Sequence, residues 1–172
     1  MAASAFLSFQ YHALLGRRFD KYGNLTQWWP EDTIEKFNRQ AACFVEQYST
    51  YQLGESGLNV NGNDTLGDNI CDNAGLHHAY AAYVDWIKKN GQEKGLPGLD
   101  YNPEQLFFIS YAQIWCEIVS KEGYDKYSKD IHTPGQYRTI GVLSNSKEFS
   151  NVFNCLDGVP MNPEKKCQLW AH

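Results

Sequence analysis

No apolar run in these 172 residues approaches the roughly 20 needed to cross a bilayer as a helix. No basic cluster is present either. Lys and Arg number 15 against 20 Asp and Glu, a net charge of −5, which argues against a nucleic-acid partner. No two cysteines stand in C-x-x-C spacing, which argues against a cysteine zinc site. Internal repeats and low-complexity tracts are also missing. The opening MAASAFLSFQYHALL lacks a basic start and a long apolar centre, so it does not read as a signal peptide.

What is there is aromatic. Five Trp and eleven Tyr lift the aromatic share to 15%, which favours an ordered, packed chain over a disordered one. The length suits one domain with a substantial core. The five cysteines are an odd number. Disulfides with one leftover thiol would suit an oxidising compartment, and an all-thiol chain would suit the cytosol.

The most informative stretch is NGNDTLGDNICDNAGLHHAYAAY, Asn61 to Tyr83. Leu66, Ile70, Ala74, Tyr80, Tyr83, Val84 and Ile87 recur at three- and four-residue steps, which predicts an amphipathic helix stopped at Asn90-Gly91. Asp68 and Asp72 stand four apart and so share a face. Such a pair could serve a metal or an imidazole. It could equally be structural: Thr65 and Asp68 fit a capping box, and Asp72 would complement the helix dipole.

Elsewhere, Trp28-Trp29-Pro30-Glu31-Asp32 opens a helix whose stripe is Ile34, Phe37, Ala41, Phe44, Val45, Tyr48 and Tyr51. Gly54 to Gly62 is a loop. Asn102-Pro103-Glu104 caps a further helix that is apolar on more than one face and expects several neighbours. His132-Thr133-Pro134-Gly135 is a turn, and Asn145 to Phe153 a short capped helix. His77 and His78 point away from Asp68 at about 100° per residue, so both read as surface or packing histidines.

The central run Leu66-Gly67-Asp68-Asn69-Ile70-Cys71-Asp72-Asn73-Ala74-Gly75-Leu76 resembles the Glu-Asn-Ile-Ala-Asp segment of the neprilysin and endothelin-converting-enzyme family of zinc metallopeptidases. GRRFDKYGNLTQWW from Gly16, LFFISYAQIWCEI, His132-Thr133-Pro134-Gly135 with Arg138, and the ending at Trp170 are similar to the same family. The resemblance runs from Gly16 to Trp170. It implies a mainly α fold, the C-terminal portion of a thermolysin-like (gluzincin) catalytic domain. Residues 1–15 would be a non-matching segment and residues 16–172 the partial catalytic domain.

The resemblance also implies roles. Asp68 takes the place of the third zinc ligand, where the family has Glu. Asp72 takes the place of the acid that holds a zinc-binding histidine from behind. His132 matches the donor to the oxyanion of the tetrahedral intermediate, and Arg138 the arginine that holds substrate and the surrounding carboxylates. The cofactor implied is zinc and the partners are peptide substrates, met outside the cell. Cys43 would pair with Cys167, while Cys116 and Cys155 match cysteines whose partners lie in upstream segments.

One family element is missing. The His-Glu-x-x-His helix, which supplies two zinc ligands and the general base, would fall on Phe6, Leu7, Ser8, Phe9 and Gln10. His12 is alone and two residues out of register, a solvated histidine. Three expectations follow from this. The chain is the C-terminal part of a zinc metalloendopeptidase, a truncated product or an incomplete gene model, and is inactive by itself. The alternative is a non-catalytic protein that reuses the peptide cleft. A purely structural helical domain explains least, because it leaves Asp72, His132 and Arg138 without a purpose. Loss of the upstream helix also predicts exposed apolar surface.

Overall fold

The structure, a computed structural model, describes residues 15–169. Phe6 to Gln10, His12 and Trp170 lie outside the described residues. Among the described residues seven helices follow in order: α1 Leu15–Arg18, α2 Glu31–Ser49, α3 Leu66–Asn90, α4 Pro103–Ile114, α5 Lys121–Tyr127, α6 Gly135–Asn145 and α7 Lys147–Val152. Among the described residues, extended pairing is confined to two isolated bridges, Phe19 with Leu25 and Gln52 with Asn59. The fold is mainly α, as the sequence predicts.

The α3 helix is the centre. It packs against α2 on one side and α6 on another, and α6 in turn touches α2 and α7. Its first half is buried nearly all round, through Gly67, Asn69, Ile70, Cys71, Asp72, Gly75 and Leu76. Its second half runs out into solvent, where Trp86 is exposed. The predicted stop holds: Gly91 adopts φ 84°, a left-handed conformation that suits glycine, and its N–H bonds the Ile87 carbonyl at 2.8 Å.

The α2 stripe buries Phe37, Ala41, Phe44 and Tyr48 in a core completed by Leu53, Val60, Ile70 and Cys71. Pro30 stands at the N-cap of this helix, one position before its first turn. A second core gathers Leu76, Phe108, Tyr111, Val142 and Leu143 where α3, α4 and α6 meet. Gly141 permits the closest approach between α2 and α6: a Cβ there would lie 2.5 Å from the Tyr48 hydroxyl. A disulfide between Cys43 and Cys167 ties α2 to the C-terminal segment, the pairing that the resemblance implies.

Two local expectations need correction, and two further features add to them. The Thr65–Asp68 capping box does not form. The Thr65 hydroxyl instead donates to the Asn61 carbonyl at 2.9 Å, and Asp68 turns toward Arg138. The segment Asn145 to Phe153 is not one helix: Asn145 ends α6 and Ser146 caps α7, accepting from the Phe149 N–H at 3.0 Å. The α5 helix, capped by Ser120, was not predicted. On α4, Phe108 and Tyr111 are buried, but Ile114 and the following Ile118 are 61% and 102% exposed, so this chain covers only part of that apolar surface.

Candidate active site

Two elements build the site. The buried first half of α3 presents Asp68 and Asp72 one turn apart. The start of α6 presents Arg138, three residues after Gly135, and the turn before it carries His132. The Tyr111 hydroxyl donates to the Arg138 carbonyl at 2.9 Å and fixes that part of α6 to α4. At the helix start, the Gly135 N–H donates to Glu117 Oε1 at 2.6 Å, which satisfies one of the unpaired amides there.

Arg138 is the hub. Its Nε donates to Asp72 Oδ2 at 2.5 Å and its Nη2 to Asp72 Oδ1 at 2.7 Å, a two-bond fork. Its Nη1 lies 3.5 Å from Asp68 Oδ2. Its guanidinium stacks 3.8 Å from the centre of the Trp115 ring. The side chains of Arg138 and Asp72 are only 9% and 1% exposed. Burial pushes the Asp72 carboxyl up to about 6, opposed by the Arg138 hydrogen bonds and charge and reinforced by the charge of Asp68. Burial would lower the Arg138 pKa, but the bonds and charge of Asp72, with the charge of Asp68, raise it instead. Both groups are therefore charged near pH 7.

His132 is the exposed member, with 54% of its side chain in solvent. The Asp130 carboxylate accepts from both its backbone N–H at 2.9 Å and its Nδ1 at 2.7 Å. Those bonds, the backbone one first, hold the Asp130 carboxyl below its ordinary value. With Nδ1 donating to Asp130, Nε2 is left facing Asp68 Oδ2 at 3.9 Å. All four residues singled out in the sequence thus converge. His77 and His78 do not join them: both are exposed, and His77 lies 3.6 Å from Glu148. Cys71, between the two acids, is a buried thiol pushed up to about 12 by burial and by the charges of Asp72 and Asp68, so it is no nucleophile.

Sequence reasoning missed Asp130, Trp115 and Glu117. Asp130 had a local signal, since an Asp two residues before a turn histidine is placed to accept its N–H. Trp115 and Glu117 had none, because they reach the site across the packing of α4 and α6.

A catalytic zinc takes three protein ligands and keeps an open position. Among the described residues no group of three His, Cys, Asp or Glu could hold an ion. Asp68 is one acid at the rim and His132 is turned by Asp130. The described residues alone do not fit a catalytic zinc.

The fold is a mainly helical unit of the kind found in solved M13-type zinc metalloproteases. Residues 10–169 match the sequence profile of peptidase family M13. The chain belongs to that family. It is 51% identical over 156 residues to human endothelin-converting enzyme 1, covering 90% of this chain and 20% of that protein. It is 48% identical over 157 residues to human neprilysin, covering 90% of this chain and 21% of that protein. The chain thus spans about a fifth of the length of the curated relatives it matches. Among solved structures, the zinc metalloprotease Zmp1 of Mycobacterium tuberculosis with an inhibitor superposes at TM-score 0.85 and 26% identity, over 99% of this chain and 27% of that one. A Haemonchus galactose-containing glycoprotein complex superposes at TM-score 0.86 and 31% identity, over 98% and 29%. No helix among the described residues is long and apolar enough to cross a membrane.

Proposed function

We propose that this chain carries the substrate-side portion of an M13 metalloendopeptidase site, and that these 172 residues by themselves do not hydrolyse peptides. The observation that supports the reading is the buried Asp72–Arg138 fork, with Asp68 and His132 gathered at its solvent edge. In this reading Asp68 stands where a metal ligand is needed. Asp72 and Arg138 hold the floor of the site, and His132, with its Nδ1–H kept on Asp130, donates from Nε2 to a substrate carbonyl oxygen when the ring carries both protons. Arg138 has its Nε and Nη2 on Asp72, so its main work is to hold the carboxylates. A protein of the relatives' length would act with zinc on peptides, in keeping with the names endothelin-converting enzyme and zinc metalloprotease, and the family resemblance puts those peptides outside the cell. The Cys43–Cys167 disulfide supports an oxidising compartment.

The test pairs metal analysis with a peptide assay. Purified protein equilibrated with zinc and then gel-filtered is expected to carry far less than one equivalent, and to show no chelator-sensitive cleavage of a fluorogenic peptide. One tightly held zinc per chain with such cleavage overturns the reading. The non-catalytic alternative rests on Asp68, a shorter acid than the family's Glu. A peptide titration without zinc separates the two: saturable binding supports the alternative, and no binding removes it.

A further inference from the structure

Thr133 follows His132 directly, yet it is only 2% exposed, while the histidine ring is half in solvent. Its hydroxyl donates to Asn69 Oδ1 at 2.7 Å. Asn69 lies next to Asp68 on α3 and is fully buried. Its amide nitrogen donates to Thr65 Oγ1 at 2.9 Å, and that hydroxyl donates to the Asn61 carbonyl at 2.9 Å. The order of donors is self-consistent: with Thr65 donating to Asn61, Asn69 must donate to Thr65 and accept from Thr133.

The backbone of Asn69 is held as well. Its carbonyl accepts from Asn73 Nδ2 at 2.7 Å, Asn73 Oδ1 accepts from Asn145 Nδ2 at 2.9 Å, and Asn145 Oδ1 accepts from the Cys167 N–H at 2.9 Å. A chain of amides thus links α3 and α6 to the segment of the Cys43–Cys167 disulfide.

We propose that Asn69, acting through the Thr133 hydroxyl, is a positioning residue for His132. The proposal rests on the reading of His132 as the substrate-facing donor, and it names what places that donor. Two anchors are needed. Asp130 sets the ring's tautomer, but Asp130 belongs to the same turn and cannot fix the turn to the helix. The Thr133–Asn69 bond does so, one residue from Asp68, and so sets the spacing between His132 and Asp68.

The test is nuclear magnetic resonance on the whole chain. Thr133→Val keeps the shape, removes the donor and strips Asn69 Oδ1 of its partner. The His132 ring nitrogens are expected to move from the Nδ1–H pattern toward a tautomer average. The His132 amide, bonded to Asp130, is expected to lose about tenfold in exchange protection. Thr133→Ser is expected to restore both. Phe37→Leu, in the core beneath α2, lowers global stability but is expected to leave the His132 ring and amide unchanged, which separates positioning from a merely structural role. Unchanged ring nitrogens and protection in Thr133→Val, or no rescue by Thr133→Ser, overturns the proposal. Should Thr133→Val not fold, the wild type carries the test. A Thr133 hydroxyl proton held by Asn69 gives its own slowly exchanging resonance, and exchange at the solvent rate overturns it. These readouts use no peptide and no metal, so they succeed or fail separately from the peptidase reading.

Discussion

Arg138 and Asp72 form the most consequential pair in the chain, because both charges are out of water. Removing one partner leaves the other charge buried, which costs about 3–5 kcal/mol. Arg138→Met is therefore expected to lower the unfolding free energy by that amount in a urea titration, and a loss below about 1 kcal/mol would show a solvated pair. Asp130 behaves differently. It is half-buried, and its folded pKa lies below the ordinary carboxylate value because His132 bonds its charged form. Its contribution to stability is then present above the unfolded pKa and lost as pH falls through the folded one. The stability difference between wild type and Asp130→Asn is expected at pH 7 and should shrink as pH falls below the ordinary carboxylate range, read by denaturant melts across a pH series. Asp68, Asp72, His132 and Arg138 were all legible in the sequence, two by helical spacing and all four by family resemblance. Trp115 and Glu117 were not, since nothing near them in sequence marks what they touch.

At the level of the element, capping shows when local signals survive folding. Asn102 keeps its predicted role: it accepts from the Gln105 N–H at 2.8 Å while Gln105 Oε1 accepts from the Asn102 N–H at 3.0 Å. Asn102 faces solvent, and the one tertiary bond at Gln105, from its Nε2 to the Val152 carbonyl at 3.3 Å, leaves Oε1 free for the cap. Asn102→Ala is expected to cost about 1 kcal/mol, measured by thermal or urea unfolding. Thr65 and Asn145 are both buried, and neither side chain caps a helix. The Thr65 hydroxyl is taken by neighbours four residues away on either side, the Asn61 carbonyl and the Asn69 amide, while the Asn145 side chain is claimed by distant Gln47, Asn73 and Cys167. Ser146, the next residue, then takes the capping place.

For the molecule as a whole, the disulfide matters most, because it joins residues 124 apart. Cutting it frees a long loop in the unfolded chain. Reduction, or Cys43→Ser with Cys167→Ser, is expected to lower stability by about 2–5 kcal/mol, seen as a fall in the urea midpoint. Ile114, Ile118 and Ile131 remain open to solvent, in line with the apolar exposure expected of this sequence. Read alone, the sequence determined the helical class, the central helix with its glycine stop, the α2 stripe and the facing acids of α3. Each of these depends on periodicity or on residues within one turn of each other. Only the tertiary structure decided that Arg138 closes on Asp72, that Trp115 lies beneath it, and that Thr133 is tied to Asn69. Those contacts join residues 23 to 66 positions apart, and which buried polar groups meet is settled only when every donor and acceptor in the packed core must find a partner at once.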